Sequence, residues 1–221
     1  MTETDETGRP AKPRKQVSYG TGRLALLDAA IRVVARGGLR KLTYRAVAEE
    51  AGVTHGLVVH HFGSRDALIE EALAHTVRTS LNISALETGS GRVADFSAGI
   101  SDMVTDDPDT QAFQYELLLE ARRRPELLGQ VRGLYDEYFD ATRRELSRIL
   151  PEDADEGLTR LVFAALDGLV LHQLVFGEPG VTEAALARLR TLLRLLDADG
   201  DGEGDVGDAG DGDGAARPDQ A

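Results

Sequence analysis

The sequence predicts an all-α fold of nine helices, and two observations support this fold class. Apolar residues recur every three or four positions in one segment after another, the spacing of a buried helical face, and no segment alternates as a strand does. Glycine, proline and capping residues separate these segments. The predicted helices lie at about 21–36, within 43–62 (two short helices), and at about 64–86, 93–105, 110–123, 126–149, 158–176 and 182–196.

The first helix is predicted from one apolar face and a clear end signal. Leu27, Ile31 and Val34 share a face of a helix that covers about 21–36. Two glycines at 37–38 then end it, because glycine readily adopts the left-handed conformation that closes a helix.

Segment 43–62 predicts two short helices joined by a tight turn at 51–53. Thr43 and Thr54 stand at the two N-cap positions, where a hydroxyl accepts a hydrogen bond from a free backbone N–H group. This arrangement is typical of a helix-turn-helix motif, whose second helix enters the major groove of DNA. The apolar residues predicted to form the seam between the two helices are Val47, Ala48, Val53, Val58 and Phe62.

The six helices predicted after residue 63 are bounded by local signals. Ser64 is placed to cap the helix at 64–86, the acidic loop at 106–109 supplies an N-cap for the next long helix, and prolines separate later segments. Segment 158–176 is apolar on nearly all sides, which suits either a buried core helix or a helix in a dimer interface.

Charge is distributed unevenly along the chain. The net charge is −13, but residues 9–65 carry eleven Lys and Arg against three acids, a balance of +8. A basic block in an otherwise acidic protein is the electrostatic pattern expected of a DNA-binding module, since neutralising phosphates supplies most non-specific affinity. Residues 197–221 carry nine acids and one Arg in Asp/Gly repeats.

Composition predicts a cytoplasmic protein with no membrane partner. The chain has no cysteine, which excludes disulfides and thiolate metal sites, and its first residues lack the apolar region of a signal peptide. No run approaches the roughly 18 uncharged apolar residues of a membrane helix. Both ends are predicted to be disordered, residues 1–20 as a basic arm and 197–221 as an acidic tail.

The motifs of common enzyme and metal sites are missing from the sequence. There is no Gly-x-Ser-x-Gly, no phosphate-binding glycine loop and no His-Glu-x-x-His, so we predict neither an enzyme nor a metal or other cofactor. The run from Asp197 to Asp208 resembles the start of a calcium loop but lacks its final Glu and its second helix. We therefore interpret it as part of the solvated acidic tail.

The residues that carry a resemblance to a known family lie between about 22 and 70. They are Leu27, Ala30, Gly38, Thr43, Val47-Ala48, Ala51-Gly52-Val53-Thr54 and Phe62-Gly63-Ser64-Arg65-Asp66-Ala67-Leu68. In this order and spacing they resemble the TetR family of bacterial transcriptional regulators. The resemblance implies an N-terminal three-helix DNA-binding domain at 21–63 and a C-terminal six-helix ligand-binding and dimerisation domain at 64–196.

The resemblance also implies a function. The expected protein is a ligand-responsive repressor that binds a palindromic operator in double-stranded DNA as a homodimer, paired through about 158–196, and leaves it when a small-molecule effector binds. Alternatives are an activator, a DNA-binding protein without a ligand, or a helical ligand-binding or interaction protein that has lost operator recognition. The last alternative arises because Leu57 and Val59 stand where the family usually has a Thr and a Tyr.

Placing the second helix of the motif at 100° per residue separates a packing side from a DNA side. Val58 and Phe62 turn toward the other helices, whereas the histidines offer donors to phosphates or bases on the opposite arc. His61 lies on the flank and has an alternative interpretation as a half-buried packing residue. The predicted DNA-binding residues are Lys41, Thr43, Tyr44, Arg45, Thr54, His55, Gly56, Leu57, Val59, His60 and His61.

Effector-binding residues are sought among polar side chains on the otherwise apolar helices between about 93 and 176. The predicted set is Gln114, Tyr115, Glu116, Tyr135 and His172, with Glu120, Tyr138 and Asp167 as further candidates. A few polar groups among many Leu and Val predict a small, mostly apolar effector.

Overall fold

The computed structural model describes residues 19–83, 90–150 and 154–200, and all regular structure in these ranges is helical. The all-α prediction is therefore confirmed, and these ranges contain nine α-helices. They are α1 (Tyr19–Gly37), α2 (Tyr44–Ala51), α3 (His55–Phe62), α4 (Arg65–Ile83), α5 (Ile100–Asp106), α6 (Pro108–Ala121), α7 (Leu128–Ile149), α8 (Glu156–Phe176) and α9 (Pro179–Gly200).

Several predicted helix ends differ from the observed ones. The helix expected at 93–105 covers only 100–106, because residues 93–95 form a 3-10 turn and Gly99 adopts a positive φ of 83°. The last helix begins at Pro179, which was expected to lie in a breaker. Proline is tolerated in a first helical turn, where its missing N–H would have no partner.

The two terminal segments predicted to be disordered are partly helical where the structure describes them. Residues 19–20 belong to α1 rather than to the arm, and residues 197–200 continue α9 rather than beginning the tail. The remaining arm, residues 1–18, and the remaining tail, residues 201–221, lie outside the described residues.

Side-chain caps start four of the described helices, including α8, where the Asp155 carboxylate accepts a hydrogen bond from the Leu158 amide at 2.7 Å. The Thr43 hydroxyl accepts a hydrogen bond from the Ala46 amide at 3.1 Å, at the start of α2. Ser64 does the same for α4 at 3.0 Å, and Asp107 for α6 at 3.2 Å. Each such cap contributes about 1 kcal/mol to helix stability.

Helix α6 lies at the centre of the molecule. It contacts α1 on one side and α4, α5, α7 and α8 on the others. Phe113 and Leu117, one turn apart on α6, are 0 % exposed. The helix therefore joins the three N-terminal helices to the rest of the protein.

Two arginines fasten the N-terminal helices to α4. Arg65 on α4 donates to the backbone oxygens of Leu42 at 2.9 Å and Leu39 at 2.6 Å. Arg23 on α1 pairs with Glu71 on α4 and also donates to the backbone oxygen of His61 at 2.8 Å. These contacts hold α3 in a defined position relative to α1 and α4.

Helix α8 combines length with an apolar surface. Within the described ranges it is the helix that is long and apolar enough to cross a membrane by length and composition alone, although it carries Arg160 and Asp167. Only 28 % of the apolar 18-residue stretch within α8 is buried by the rest of the chain. The other residues of this helix are half-buried or exposed in the isolated chain.

Replacing Gly133 by Ala in the middle of α7 is expected to stabilise the protein by up to about 1 kcal/mol, because glycine costs that much inside a helix. A Cβ at this position meets no atom within 4 Å. The measurement is the urea midpoint at one fixed protein concentration.

Gly52→Ala is the matched control for that substitution. A Cβ there also meets nothing within 4 Å, but Gly52 has a φ of +66°, so Ala is strained and we expect a loss of roughly 1 kcal/mol. A shift of the same sign for both variants would contradict this explanation.

Candidate DNA-binding surface and effector cavity

The α2–turn–α3 unit is built from local signals that the structure brings together. Gly52 adopts a left-handed φ of 66° and closes α2, while the Val53 amide donates to the Ala48 oxygen at 2.9 Å. Val47 on α2 and Val58 on α3 are both 0 % exposed and hold the two helices together. Val53 was predicted in the same seam but is 37 % exposed, because it lies on the outer side of the turn.

Helix α3 has one exposed face that contains most of the residues predicted to contact DNA. The side chains of His55, Leu57, Val59 and His60 are exposed together with the backbone at Gly56. Leu57 and Val59 are 38 % and 37 % exposed, which is high for apolar side chains. The surface is thus accessible to a large partner.

Thr54 occupies the N-cap position of α3, but its hydroxyl accepts no hydrogen bond from that helix. Its position is therefore as predicted, but the expected hydrogen bond to its hydroxyl is not formed. The Leu57 amide instead bonds to the Thr54 backbone oxygen at 3.0 Å. The Thr54 side chain is exposed, so it remains accessible to a phosphate.

His61 does not belong to the exposed face. Its side chain is 9 % exposed, and its ring lies 5.8 Å from the His60 ring and 6.2 Å from the Phe62 ring. Burial, followed by the nearby Arg23 charge, lowers the pKa of His61, so the ring stays neutral more readily than a free histidine. The structure removes His61 from the predicted DNA contacts and agrees with its alternative interpretation as a packing residue.

Tyr44 supports the surface rather than reaching out from it. Its hydroxyl oxygen is buried and has no hydrogen-bond partner among the described residues, and its ring meets the His55 ring edge-on at 5.9 Å. Burial raises the pKa of Tyr44, with a further contribution from Asp66. The hydroxyl is covered in this geometry, and the direct phosphate contact of Tyr44 stays a prediction.

Three basic residues near the helix-turn-helix make no ion pair among the described residues, although the Arg40 charge still contributes to lowering the pKa of Glu120. Within the described ranges Arg40, Lys41 and Arg45 are exposed and form no ion pair. The three arginines of α1 are instead engaged in ion pairs: Arg23 with Glu71, Arg32 with Glu50 and Arg36 with Asp109. Unpaired cations next to an exposed helix face are suited to contact phosphates.

A cavity of about 530 Å³, including the space at its mouth, lies between α4, α5, α6, α7 and α8. The Gln111 and Gln114 amides lie 3.3 and 3.4 Å from the Ser80 hydroxyl. Opposite them, the Tyr115 hydroxyl donates to the Asp167 carboxylate at 3.0 Å. The lining residues are Ser80, Ile100, Met103, Gln111, Gln114, Tyr115, Tyr135, Tyr138, Phe163, Leu166, Asp167 and Val170.

Two family profiles match the chain at the positions of these two features. The profile of bacterial regulatory proteins of the tetR family matches residues 26–72, and that of the tetracyclin repressor-like C-terminal domain matches residues 89–195. Together they cover well over half of the chain. The protein belongs to the TetR family. It is a DNA-binding transcriptional regulator with an N-terminal helix-turn-helix and a C-terminal helical domain, as predicted.

Similar TetR proteins cover most of the chain. The transcriptional regulator BetI of Paraburkholderia phymatum is 29 % identical over 184 residues, which are 79 % of this chain and 92 % of BetI. A TetR-family structure from Streptomyces coelicolor has 28 % identity and a TM-score of 0.62, covering 79 % of this chain and 97 % of its own. The multidrug binding protein EbrR complexed with imidazole has 27 % identity and a TM-score of 0.57, covering 84 % and 96 %.

Three of the five predicted effector residues line the cavity of this TetR protein, namely Gln114, Tyr115 and Tyr135. Glu116 and His172 do not. Glu116 lies at the junction with the DNA-binding helices, where its Oε2 is 3.5 Å from a Cβ built on Gly38. His172 is exposed on α8 and its ring meets that of Phe176 at 5.7 Å.

Among the further candidates, Tyr138 and Asp167 line the cavity, whereas Glu120 is ion-paired with Arg123 and Arg124 on the far end of α6. Sequence reasoning missed Ser80, Gln111 and Phe163. Ser80 and Gln111 could have been found as polar residues on the buried sides of α4 and α6. Phe163 had no such signal, because one aromatic residue on an apolar helix resembles any core residue.

Proposed function

We propose that this regulator is a homodimeric repressor that binds a palindromic operator and leaves it when a small, largely apolar effector enters the cavity. In this proposal α1–α3, up to residue 63, form the DNA-binding domain, and α4–α9 form the effector-binding and dimerisation domain. The protein would act in the cytoplasm, where its DNA is found. The single observation that carries the proposal is the exposed α3 face with unpaired cations beside it.

The DNA contact would use two kinds of residue. Thr43 and Arg45 lie at the start of α2, and Lys41 ends the short turn before it. All three are exposed, so they are placed for phosphates. On α3, His55 and His60 supply donors for base edges, while Leu57 and Val59 suit thymine methyl groups. Gly56 lets the α3 backbone approach the groove closely, since no side chain projects there.

The homodimer would form through α8 and α9. Large apolar side chains are exposed along both helices, and such a surface is unusual on a protein that stays monomeric. Two copies related by a two-fold axis also match the two half-sites of a palindromic operator. The exposed apolar residues are Leu161, Leu171, Val175, Phe176, Val181, Leu192, Leu195 and Leu196.

Coupling between the cavity and the DNA would run through α6. Gln111, Gln114 and Tyr115 line the cavity from this helix. On its other side α6 contacts α1, with an ion pair of 3.0 Å between Arg36 and Asp109. An effector that fits the cavity better in one position of α6 would shift α1 and hence the spacing of the two α3 helices.

Gel retardation with the DNA upstream of the protein's own gene tests the proposal. We expect specific, salt-sensitive retardation by the wild type. Arg45→Ala should weaken binding to operator and random DNA alike, with a salt slope smaller by about one, because it removes a phosphate contact. His55→Ala should instead change base preference, by about 1–3 kcal/mol at one position of the operator.

Arg132→Ala is the matched control, because Arg132 is exposed on α7, far along the chain from α3. It removes the same charge and should leave operator binding unchanged. Equal losses for all three variants would contradict the roles assigned here.

Absence of any specific retardation would favour an interaction protein without operator recognition, in which the exposed Leu57 and Val59 would contact the partner. Transcription that rises with operator occupancy would identify an activator.

A further inference from the structure

The cavity contains one carboxylate among aromatic rings. Asp167 projects from α8, and Tyr115 on α6 donates its hydroxyl to the Asp167 Oδ1 at 3.0 Å and to the Asp167 backbone oxygen at 2.9 Å. Burial raises the pKa of Asp167, while hydrogen bonds with Tyr115 and Tyr135 oppose that rise. The side chain is therefore held in place with its charge incompletely compensated.

No basic residue of the described cavity lining balances this carboxylate. Among the described residues that line the cavity, Asp167 is the sole charged side chain, and none is Lys, Arg or His. Burial raises the pKa of the three lining tyrosines, that of Tyr138 to about 12, so their hydroxyls stay neutral. An ionised carboxylate in such a site is costly unless a cation accompanies it.

The remaining polar groups of the lining satisfy one another. Gln111 and Gln114 both contact the Ser80 hydroxyl, and the Tyr138 hydroxyl donates to the Gln114 Oε1 at 3.1 Å. They offer a neutral wall rather than a second charged anchor. Asp167 is thus the group in the cavity with the strongest capacity to select a ligand by charge.

Aromatic rings surround the same space. The Phe163 ring meets the Tyr135 ring edge-on at 5.7 Å and stacks near the Tyr138 ring at 6.4 Å. Aromatic faces attract organic cations through the ring quadrupole, and a cluster of rings is the usual way to bind a quaternary ammonium group. Apolar contacts from Ile100, Leu166 and Val170 suit the alkyl groups of such a ligand.

We propose that the effector is an organic cation, a quaternary ammonium or protonated amine, whose charge lies against the Asp167 carboxylate and the rings of Tyr135, Tyr138 and Phe163. This inference rests on the proposed function, in which the cavity is the effector site. The ligand is small and otherwise apolar, since the lining adds no second charged anchor. A bound cation also stabilises the ionised form of Asp167.

Isothermal titration calorimetry without DNA tests the proposal. The probes are tetramethylammonium, tetraethylammonium and benzyltrimethylammonium, and the neutral counterparts are tert-butanol and benzyl alcohol. We expect at least one cation to bind the wild type about tenfold or more tightly than the neutral compounds. If no cation binds better than the two neutral compounds, the proposal is overturned.

Asp167→Asn removes the charge but keeps the size of the side chain. It should weaken cation binding by about tenfold or more and leave any binding of the neutral compounds unchanged. Asp136→Asn is the matched control, because Asp136 is exposed on α7, outside the cavity lining, and cation affinity should stay at the wild-type value. Phe163→Leu keeps the carboxylate and should also weaken cation binding, which covers the case that Asp167→Asn fails to fold. Undiminished cation affinity in the folded variants would overturn the assignment.

The same cations are then added to the operator complex in the gel-retardation experiment. Release of the DNA by the cation that binds best supports its role as effector, and retention of the DNA at saturating cation overturns that role. Retardation of the operator without any cation binding leaves the repressor proposal standing and removes this inference. Cation binding without operator binding removes the repressor proposal and leaves the binding of cations in the cavity standing.

Discussion

Phe176→Glu is expected to convert the dimer into monomers and to reduce operator affinity by about a hundredfold or more, because simultaneous contact with two half-sites is lost. Phe176 lies at the end of α8 and is 66 % exposed in the isolated chain. In the proposed interface this ring is covered by the partner, and a glutamate there would be an unpaired buried charge. Sedimentation velocity and gel retardation measure the two effects.

Two further substitutions test whether the effect is specific to the proposed α8–α9 interface. Leu192→Glu on α9, 58 % exposed, should act in the same way, since α8 and α9 form the proposed interface together. Leu119→Glu on α6 is the matched control, because Leu119 is also exposed, at 53 %, but lies outside both helices. If the Phe176 and Leu192 variants both remain dimeric with wild-type operator affinity, the dimer forms through another surface.

Phe113→Ala is expected to lower the free energy of unfolding by about 3–5 kcal/mol, the range found for large aromatic residues in cores. Phe113 is 0 % exposed at the centre of α6, the helix that contacts α1 and also lines the cavity. The truncation removes buried apolar area and leaves a void that the five helices packed around α6 cannot close. Urea denaturation at one fixed protein concentration measures the change, because the proposed dimerisation would make stability concentration-dependent.

Leu119→Ala, on the same helix, is the control for helix propensity and should change stability by no more than about 0.5 kcal/mol. Its side chain is mostly exposed, so its removal uncovers little buried surface. Comparable losses in the two variants would mean that α6 is not the packed centre of the protein.

The helix-turn-helix could be predicted because its determinants are local. Thr43 caps α2 three residues ahead of its partner amide, Gly52 supplies the left-handed turn, and Val47 and Val58 lie within one short segment. Interactions across a few residues are determined by neighbours in the chain. The assignment of the segment therefore needed no knowledge of the rest of the fold.

Individual side-chain roles at the DNA surface could not be predicted in the same way. His61 is buried because Arg23 and Glu71, from two other helices, close over that part of α3. Tyr44 turns its hydroxyl inward, beside Asp66. These orientations depend on packing between segments distant in sequence, which helical periodicity does not describe.

Prediction of the cavity residues was limited in the same way, because local signals indicated the class of residue and packing selected the individual residues. Polar residues on apolar helices were predicted as a class, and several of them line the cavity, but Glu116 and Asp167 could not be ranked from the sequence. Only the packing of α6 against α8 places Tyr115 beside Asp167, while Glu116 on the next position of α6 faces the DNA-binding helices. Adjacent residues on a helix point about 100° apart, so the choice between them depends on where the neighbouring helices lie.

The order of apolar, capping and glycine residues along the chain was sufficient for the helices, the DNA-binding motif and the family, because short-range geometry specifies them. Tertiary packing decided which side chains of α3 remain exposed and which carboxylate enters the cavity. The physical reason is that burial and charge compensation arise from contacts between distant segments, as when Asp167 on α8 lies among tyrosines of α6 and α7.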